Sequence, residues 1–185
     1  MSIISELMEF NREFVAERQY EEFLPSNSPD NRIVVLTCMD TRLVELLPKA
    51  LNLKNGDAKL IKNAGAILTE PFGSAMRSIL VAIYELEAKE VLVIGHHGCG
   101  MTKLNPKSIV GKFEANGIPG TTAKTLENSG IHMERFFKGF DSPEEGVQHS
   151  VEIIRNHPLL PARIPVHGCI IHPDTGLLTL INDGY

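Results

Sequence analysis

IVVLTCMDTR, residues 33–42, is the stretch of sequence that decides the fold of this 185-residue chain. Its first five residues show no alternation of polar and apolar side chains, which is typical of a strand buried on both faces of a parallel sheet. A second strand is predicted over Ala58–Lys62, and a third, fully apolar one over Val91–Ile94. Helical segments separate these strands, so the pattern predicts an α/β fold with right-handed crossovers.

Further elements complete this prediction. A helix from about Ser74 to Glu87 is expected to turn one stripe of residues toward the core, made of Met76, Leu80, Ile83 and Tyr84. Another helix, from Ser142 to about Asn156, begins with a capping box, because serine, proline and glutamate stand at its N-cap, N1 and N3 positions. The strands Val166–Ile171 and Leu177–Ile181 are joined by a turn and form an antiparallel edge hairpin. We therefore expect one α/β domain over residues 1–185, with a mainly parallel central sheet flanked by helices.

The N-terminal segment, residues 1–25, is predicted to be a protruding helical arm. Its apolar residues recur at spacings of four, three and four and share one helical face, which is formed by Ile3, Leu7, Phe10 and Phe14. Such an apolar face is expected to pack against another surface. The link that follows, Pro25–Asn31, is rich in proline, serine and asparagine.

Composition narrows the class of protein. The formal net charge is -5, with 18 lysines and arginines against 23 acidic residues, so nucleic acid is disfavoured as a partner. The longest apolar run, Ile79–Tyr84, is far shorter than the roughly 18 residues of a membrane span, and no secretory signal precedes the first strand. Three cysteines, an odd number, argue against a disulfide framework and for a reducing compartment. We expect a soluble, cytoplasmic protein.

Two of the cysteines follow predicted strands directly. Cys38 comes directly after the first strand, and Cys99 lies just past the third, with His96 three residues before it. Ligands of open α/β sheets bind at the carboxyl ends of the strands, so these side chains should meet there. Two sulfurs and one imidazole nitrogen suit zinc, and three protein ligands leave a tetrahedral ion one open position, as in catalytic sites. A cysteine at a strand end is more often a small buried hydrophobe, so the prediction depends on the whole set.

Asp40 and Arg42 are two residues apart and can form a bidentate ion pair. On an open surface such a pair would contribute little to stability. Beside a metal, the carboxylate could accept a hydrogen bond or a proton from bound water, and the arginine would set its orientation.

Three motifs together resemble the β-class carbonic anhydrases, and the short chain is similar to their compact, Cab-type branch. They are C-x-D-x-R after the first strand, Asn63-Ala64-Gly65 after the second, and H-x-x-C-G after the third. The resemblance implies that Cys38, His96 and Cys99 bind one Zn²⁺ per subunit and that Asp40 and Arg42 form the catalytic dyad. It also implies that the N-terminal helix packs across a partner subunit in a homodimer or a higher homo-oligomer.

The reaction implied by the resemblance is the reversible hydration of carbon dioxide to bicarbonate and a proton. In some family members the aspartate leaves the arginine and becomes the fourth metal ligand at lower pH, so Asp40 is also a candidate ligand, and activity would then favour alkaline pH. Two other functions stay open. One is a non-catalytic, zinc-dependent binding or regulatory protein in which Asp40 permanently closes the site; the other is hydrolysis of a different small linear electrophile, such as carbon disulfide.

The remaining thiol and imidazole groups are expected to be structural or solvated. Cys169 lies in an apolar strand and should be a packed core thiol, and His167 should be a structural histidine. His97 is either a loop residue or a proton shuttle. Exposure to solvent is predicted for His132, His149, His157 and His172.

Overall fold

A five-stranded sheet forms the centre of the computed structural model, which describes residues 2–25 and 32–185; most of the predicted link Pro25–Asn31 lies outside these ranges. The strands lie in the order β2-β1-β3-β4-β5. All neighbouring pairs are parallel except β4 and β5, which are antiparallel, so the predicted α/β fold with an antiparallel edge hairpin is confirmed. The strands are β1 Ile33–Cys38, β2 Ala58–Asn63, β3 Glu90–His96, β4 Val166–Ile171 and β5 Leu178–Asn182.

Helices flank this sheet and connect its strands. The α-helices are α1 Ile3–Ala16, α2 Leu43–Ala50, α3 Ser74–Tyr84, α4 Pro106–Val110, α5 Gly120–Asn128, α6 Met133–Phe136 and α7 Pro143–Arg155. Short 3-10 turns occur at Gln19–Phe23, Ala64–Ala66, Gly100–Lys103 and Glu114–Asn116. Helix α7 begins as its sequence predicts, because the Ser142 hydroxyl accepts a hydrogen bond from the backbone N–H of Glu145. In a capping box, the Glu145 carboxylate would accept from the backbone N–H of the N-cap residue, Ser142. Here it accepts from the backbone N–H of Asp141, one residue earlier.

Both faces of the central strands β1, β3 and β4 are buried, as the unbroken apolar runs predict. On one face, α3 and α7 cover β1, β3 and β4, and the contact is made by Val34, Leu36, Val91, Val93, Met76, Ile79, Val147 and Val151. On the other face, α2 packs through Leu43 and Leu47 against Val35, Ile94 and Ile171. Successive side chains of β1 therefore point into different cores.

Helix α3 differs from its sequence prediction in length and in the face that it buries. It ends at Tyr84, three residues early, and Tyr84 is exposed, with its hydroxyl donating to the backbone oxygen of Leu159. The predicted Leu80 is half-buried, whereas Ile79 and Ala82 are buried. The helix is rotated so that Ile79 faces the sheet, because the tyrosine hydroxyl requires a polar partner at the rim.

Helix α1 carries an exposed apolar surface. None of its residues is buried, and Ile3 and Phe10 are 78% and 63% exposed. Phe14 is half-buried beside Phe23, with ring centroids 6.3 Å apart. The described chain thus leaves the predicted apolar face of the N-terminal arm uncovered. Among the described residues, no helix combines the length and the apolar character that a membrane crossing requires.

Candidate metal centre

Three donor side chains meet at the carboxyl ends of β1 and β3. Cys38 is the last residue of β1, His96 is the last residue of β3, and Cys99 follows after a two-residue turn. Because β1 and β3 are parallel neighbours, their ends meet at one edge of the sheet. The Sγ atoms of Cys38 and Cys99 are 4.0 Å apart, and all the ligand atoms of the three residues lie within 4.8 Å of one another. All three residues are buried.

The imidazole of His96 is oriented as a metal ligand requires. Its Nδ1 lies 3.0 Å from the backbone oxygen of His97, and since a carbonyl only accepts, Nδ1 carries the hydrogen. The lone pair is therefore on Nε2, which is buried and has no hydrogen-bond partner among the described residues. A buried acceptor without a partner is costly, and a metal cation would satisfy it. The donor set of two sulfurs and one nitrogen fits Zn²⁺.

The two thiols of the centre differ in acidity. Burial raises the pKa of Cys38, but before a metal binds, a protonated His96 ring and the backbone N–H groups of Gly65 and Asp40 stabilise its thiolate, and together they bring the pKa below the usual cysteine value. Burial raises the pKa of the Cys99 thiol, and the nearby Cys38 opposes a second negative charge. One thiolate thus forms readily, while the other needs a cation, so metal binding should release a proton from Cys99.

The Asp40 carboxylate is held beside the three donors by Arg42. The guanidinium Nε donates to Oδ1 and a terminal nitrogen donates to Oδ2, each at 2.9 Å, and the Arg42 backbone N–H donates to Oδ1 at 3.0 Å. These bonds lower the pKa of Asp40 to about 2, so the carboxylate is ionised at neutral pH. Its Oδ2 lies 3.7 Å from Nε2 of His96. The structure thus brings together all five residues that the sequence singled out.

A backbone turn after β2 closes one side of the centre. The backbone N–H of Gly65 points at Sγ of Cys38 from 3.4 Å, and Gly65 has a φ of 87°, in the left-handed region that favours glycine. The Asn63 side chain closes the turn by accepting from the N–H of Ile67 at 3.1 Å and donating to its carbonyl at 2.7 Å. The small residues of this loop therefore permit a close approach of the backbone to a metal-ligand sulfur.

A buried hydroxyl behind this turn has no counterpart in the sequence prediction. Ser150 of α7 is fully buried and accepts a hydrogen bond from the N–H of Leu68 at 3.1 Å. Its hydroxyl has the carbonyl oxygens of Gly146 and Ala66 within reach, at 2.9 and 3.3 Å. The sequence did contain an indication of this buried hydroxyl, because Ser150 is a polar residue on the buried stripe of α7.

The other cysteine and two of the histidines lie where the sequence predicts. Cys169 is buried in β4 and outside the group of possible metal ligands, and burial raises its pKa. His132 and His149 are exposed.

Two of the remaining histidines are less exposed than the sequence predicts. His157 is buried, with Nδ1 accepting from the N–H of Leu159 and its ring 4.9 Å from that of Phe72. It follows α7, whose end brings it beneath the loop before α3, a long-range contact that a local pattern does not reveal. His172 is half-buried, 5.7 Å from the exposed ring of His97.

This chain is similar to known proteins in both sequence and fold. Residues 33–178 match the family model described as carbonic anhydrase. The Bacillus subtilis (strain 168) protein named "Putative carbonic anhydrase YtiB" is 54% identical over 185 residues, which cover 100% of this chain and 99% of that protein. The carbon disulfide hydrolase of Acidianus sp. (strain A1-3) is 31% identical over 160 residues, 80% of this chain and 76% of the relative. The crystal structure of β-carbonic anhydrase isoform I from Trichomonas vaginalis matches with a TM-score of 0.89 and 34% identity, over 100% of both chains.

Proposed function

Because this chain belongs to the β-carbonic anhydrase family, we propose that it catalyses the zinc-dependent, reversible hydration of carbon dioxide to bicarbonate and a proton. The observation that carries the proposal is the buried donor set of Cys38, His96 and Cys99, with the free lone pair of His96 directed into it. Three protein donors leave a tetrahedral metal one position for a small exchangeable ligand.

Cys38, His96 and Cys99 would hold one Zn²⁺ per subunit. When bound, zinc supplies a Lewis acid that makes water a nucleophile near neutral pH. The protein's contribution is to keep both sulfurs and Nε2 of His96 in one buried cluster. The hydrogen bond from Nδ1 to the backbone oxygen of His97 holds the ring in the required tautomer and orientation.

Asp40 and Arg42 act on the attacking water. Three hydrogen bonds from Arg42 occupy both lone pairs of Oδ1 and one of Oδ2, so the remaining lone pair of Oδ2 is free on the side of His96. A carboxylate with a pKa of about 2 cannot retain a proton at neutral pH. Asp40 therefore orients the water by accepting its hydrogen bond, and the released proton passes on to solvent.

Two alternatives use the same donors. If Asp40 were a permanent fourth ligand, the protein would bind zinc without catalysis, but its three hydrogen bonds to Arg42 favour the catalytic alternative. Relatives named carbon disulfide hydrolase, at 31% identity, make another linear electrophile a second candidate substrate.

The reducing environment of the cytoplasm suits a site with two thiolates.

A second copy of this chain covers the apolar face of α1 in a homodimer or a larger homo-oligomer. Ile3, Leu7 and Phe10 expose more than half of their surface, an arrangement that favours burial against another protein surface. Changing Leu7 and Phe10 to serine should therefore lower the molecular mass measured by sedimentation equilibrium at a fixed protein concentration. An unchanged mass would contradict a role of α1 in assembly.

Stopped-flow measurement of carbon dioxide hydration by the zinc-loaded protein tests the proposed reaction. We expect hydration by the unaltered protein, and a rate at least about ten-fold lower in Asp40→Asn with the zinc content unchanged. Asp141→Asn, which alters an exposed residue outside the centre, is the matched control and should keep the full rate. Cys38→Ala should lose zinc. A fully metallated protein that hydrates no carbon dioxide at any pH but hydrolyses carbon disulfide would support the second candidate substrate; inactivity toward both would support the binding protein.

A further inference from the structure

Ser150 connects helix α7 to the turn that contacts the candidate metal centre. It lies in the third turn of α7, is fully buried, and accepts the backbone N–H of Leu68, 82 residues earlier in the chain. We infer that Ser150 is a positioning residue of the metal centre, which sets the place of the Gly65 N–H against Cys38. This inference rests on the proposed binding of zinc but not on the identity of the substrate.

The connection from the Ser150 hydroxyl to Sγ of Cys38 is short and runs through backbone atoms of the turn. The hydroxyl accepts from the N–H of Leu68, and this hydrogen bond ties it to the turn; its single hydrogen has the carbonyl oxygen of Gly146 at 2.9 Å and that of Ala66 at 3.3 Å. Ala66 follows directly after Gly65, whose N–H lies 3.4 Å from Sγ of Cys38. Ala66 also has a positive φ, of 58°, which an alanine adopts only when its surroundings hold it there.

The turn is closely packed at Gly65, so loss of the link at Ser150 can be relieved only by a movement of the exit of the turn, between Ala66 and Leu68. A side chain at Gly65 would lie 2.9 Å from both Met101 and Phe140, which shows how closely these residues pack on it. Asn63 closes the turn internally through Ile67. Loss of the hydroxyl leaves the buried N–H of Leu68 without its acceptor, and the exit of the turn is then free to move toward another partner. That movement shifts the Gly65 N–H away from Cys38.

Ser150→Ala tests this role, with Ser142→Ala as a matched control. Ser142 caps the same helix through a hydrogen bond with the N–H of Glu145, so its loss weakens α7 without removing the hydrogen bond between Ser150 and Leu68. Zinc affinity is measured by competition with a chromophoric chelator, and the coordination is monitored through the thiolate-to-metal charge-transfer bands of the Co²⁺-substituted protein. We expect Ser150→Ala to bind zinc on the order of ten-fold more weakly and to shift these bands, because groups that orient ligands affect affinity to this extent. Ser142→Ala should match the unaltered protein in both.

The possible results distinguish a failure of the proposed role of Ser150 from a failure of the proposed metal site. If the unaltered protein does not bind zinc, the metal site itself is wrong. If it binds zinc and Ser150→Ala binds equally well with an unchanged cobalt spectrum, Ser150 is only a packing residue and the inference is overturned.

Amide hydrogen exchange of the unaltered protein provides a test that needs no variant and stays decisive if Ser150→Ala fails to fold. Coupling between two sites is reciprocal, so zinc binding should slow exchange at the amide of Leu68. Zinc also stabilises the fold as a whole, so the amide of Ala88, which donates to Ala82 before β3, is the internal control and should slow less than that of Leu68. Equal exchange of Leu68 in the two states would overturn the inference.

Discussion

Replacement of Gly65 by alanine examines how rigidly the protein holds the turn beside Cys38. The position has a φ of 87°, and an added Cβ would lie 2.9 Å from Cγ of Met101 and 2.9 Å from Cε1 of Phe140. Carbon atoms in contact are normally separated by 3.5–4.0 Å, so the neighbours or the turn must move by about 0.6 Å or more. The substitution therefore combines backbone strain with overpacking.

The expected loss of stability follows from these two contributions. A left-handed conformation costs a residue with a side chain about 1–2 kcal/mol, and overpacking a core costs about 1–3 kcal/mol. The reduced flexibility of the unfolded chain offsets about 0.4–1 kcal/mol of this cost. Gly117→Ala is the matched control, because Gly117 has a φ of 81° but no atom within 4 Å of the added Cβ. The overpacking contribution is thus the difference between the two variants, about 1–3 kcal/mol.

Urea unfolding of both variants, in the presence of a chelator and at one protein concentration, measures this difference. The chelator removes the contribution of bound metal, and the fixed concentration keeps the contribution of assembly comparable between the two variants. We expect Gly65→Ala to be less stable than Gly117→Ala by the stated amount and to bind zinc more weakly, because the displaced turn withdraws its N–H from Cys38. Equal stabilities would refute the conclusion that the turn is rigidly packed.

Further predictions concern the metal, the ion pair and the core. Zinc at 100 times its dissociation constant should raise the free energy of unfolding by about 2.7 kcal/mol, measured as the urea midpoint with and without zinc. Arg42→Lys should lower the hydration rate about ten-fold or more while the zinc content stays the same, since lysine cannot hold Asp40 in bidentate fashion. Cys169→Ala should cost about 1 kcal/mol in urea unfolding and leave the zinc content unchanged, because only a small cavity forms. Hydrogen bonds from Met133 and His132 lower the pKa of Glu127, so the stability lost in Glu127→Gln should be largest at neutral pH and shrink as the pH falls through that lowered pKa, as measured by urea midpoints at several pH values.

The strands were predictable because their signal is local. The apolar residues of β1 have no polar alternation, and they are buried against both α2 and the α3–α7 layer, as that pattern predicts. The face of α3 was less predictable. Its 3.6-residue period restricts the buried stripe to a range of angles, and Tyr84 and Ile79 lie near the two edges of that range. The tertiary contact of the Tyr84 hydroxyl with Leu159 decides between them.

The sequence by itself determined which donors are available and that they meet. Cys38, His96 and Cys99 follow strands that are parallel, and parallel strands end at one edge of a sheet, so residue type and position along the chain were sufficient. The pairing of Asp40 with Arg42 was equally local, since the two residues are only two positions apart.

Only the tertiary structure decided how these donors are held. Three features depend on the exact placement of atoms in the folded protein. They are the free lone pair on Nε2 of His96, the contact of the Gly65 N–H with Cys38, and the hydrogen bond between Ser150 and Leu68. The same is true of His157, which is buried although its local sequence predicts exposure. Hydrogen bonds have strict limits of distance and angle, and those between residues 27 or 82 positions apart depend on how the helices and loops pack on the sheet. Local patterns therefore specify the donors of the site, while the packing of α7 and the turn specifies their geometry.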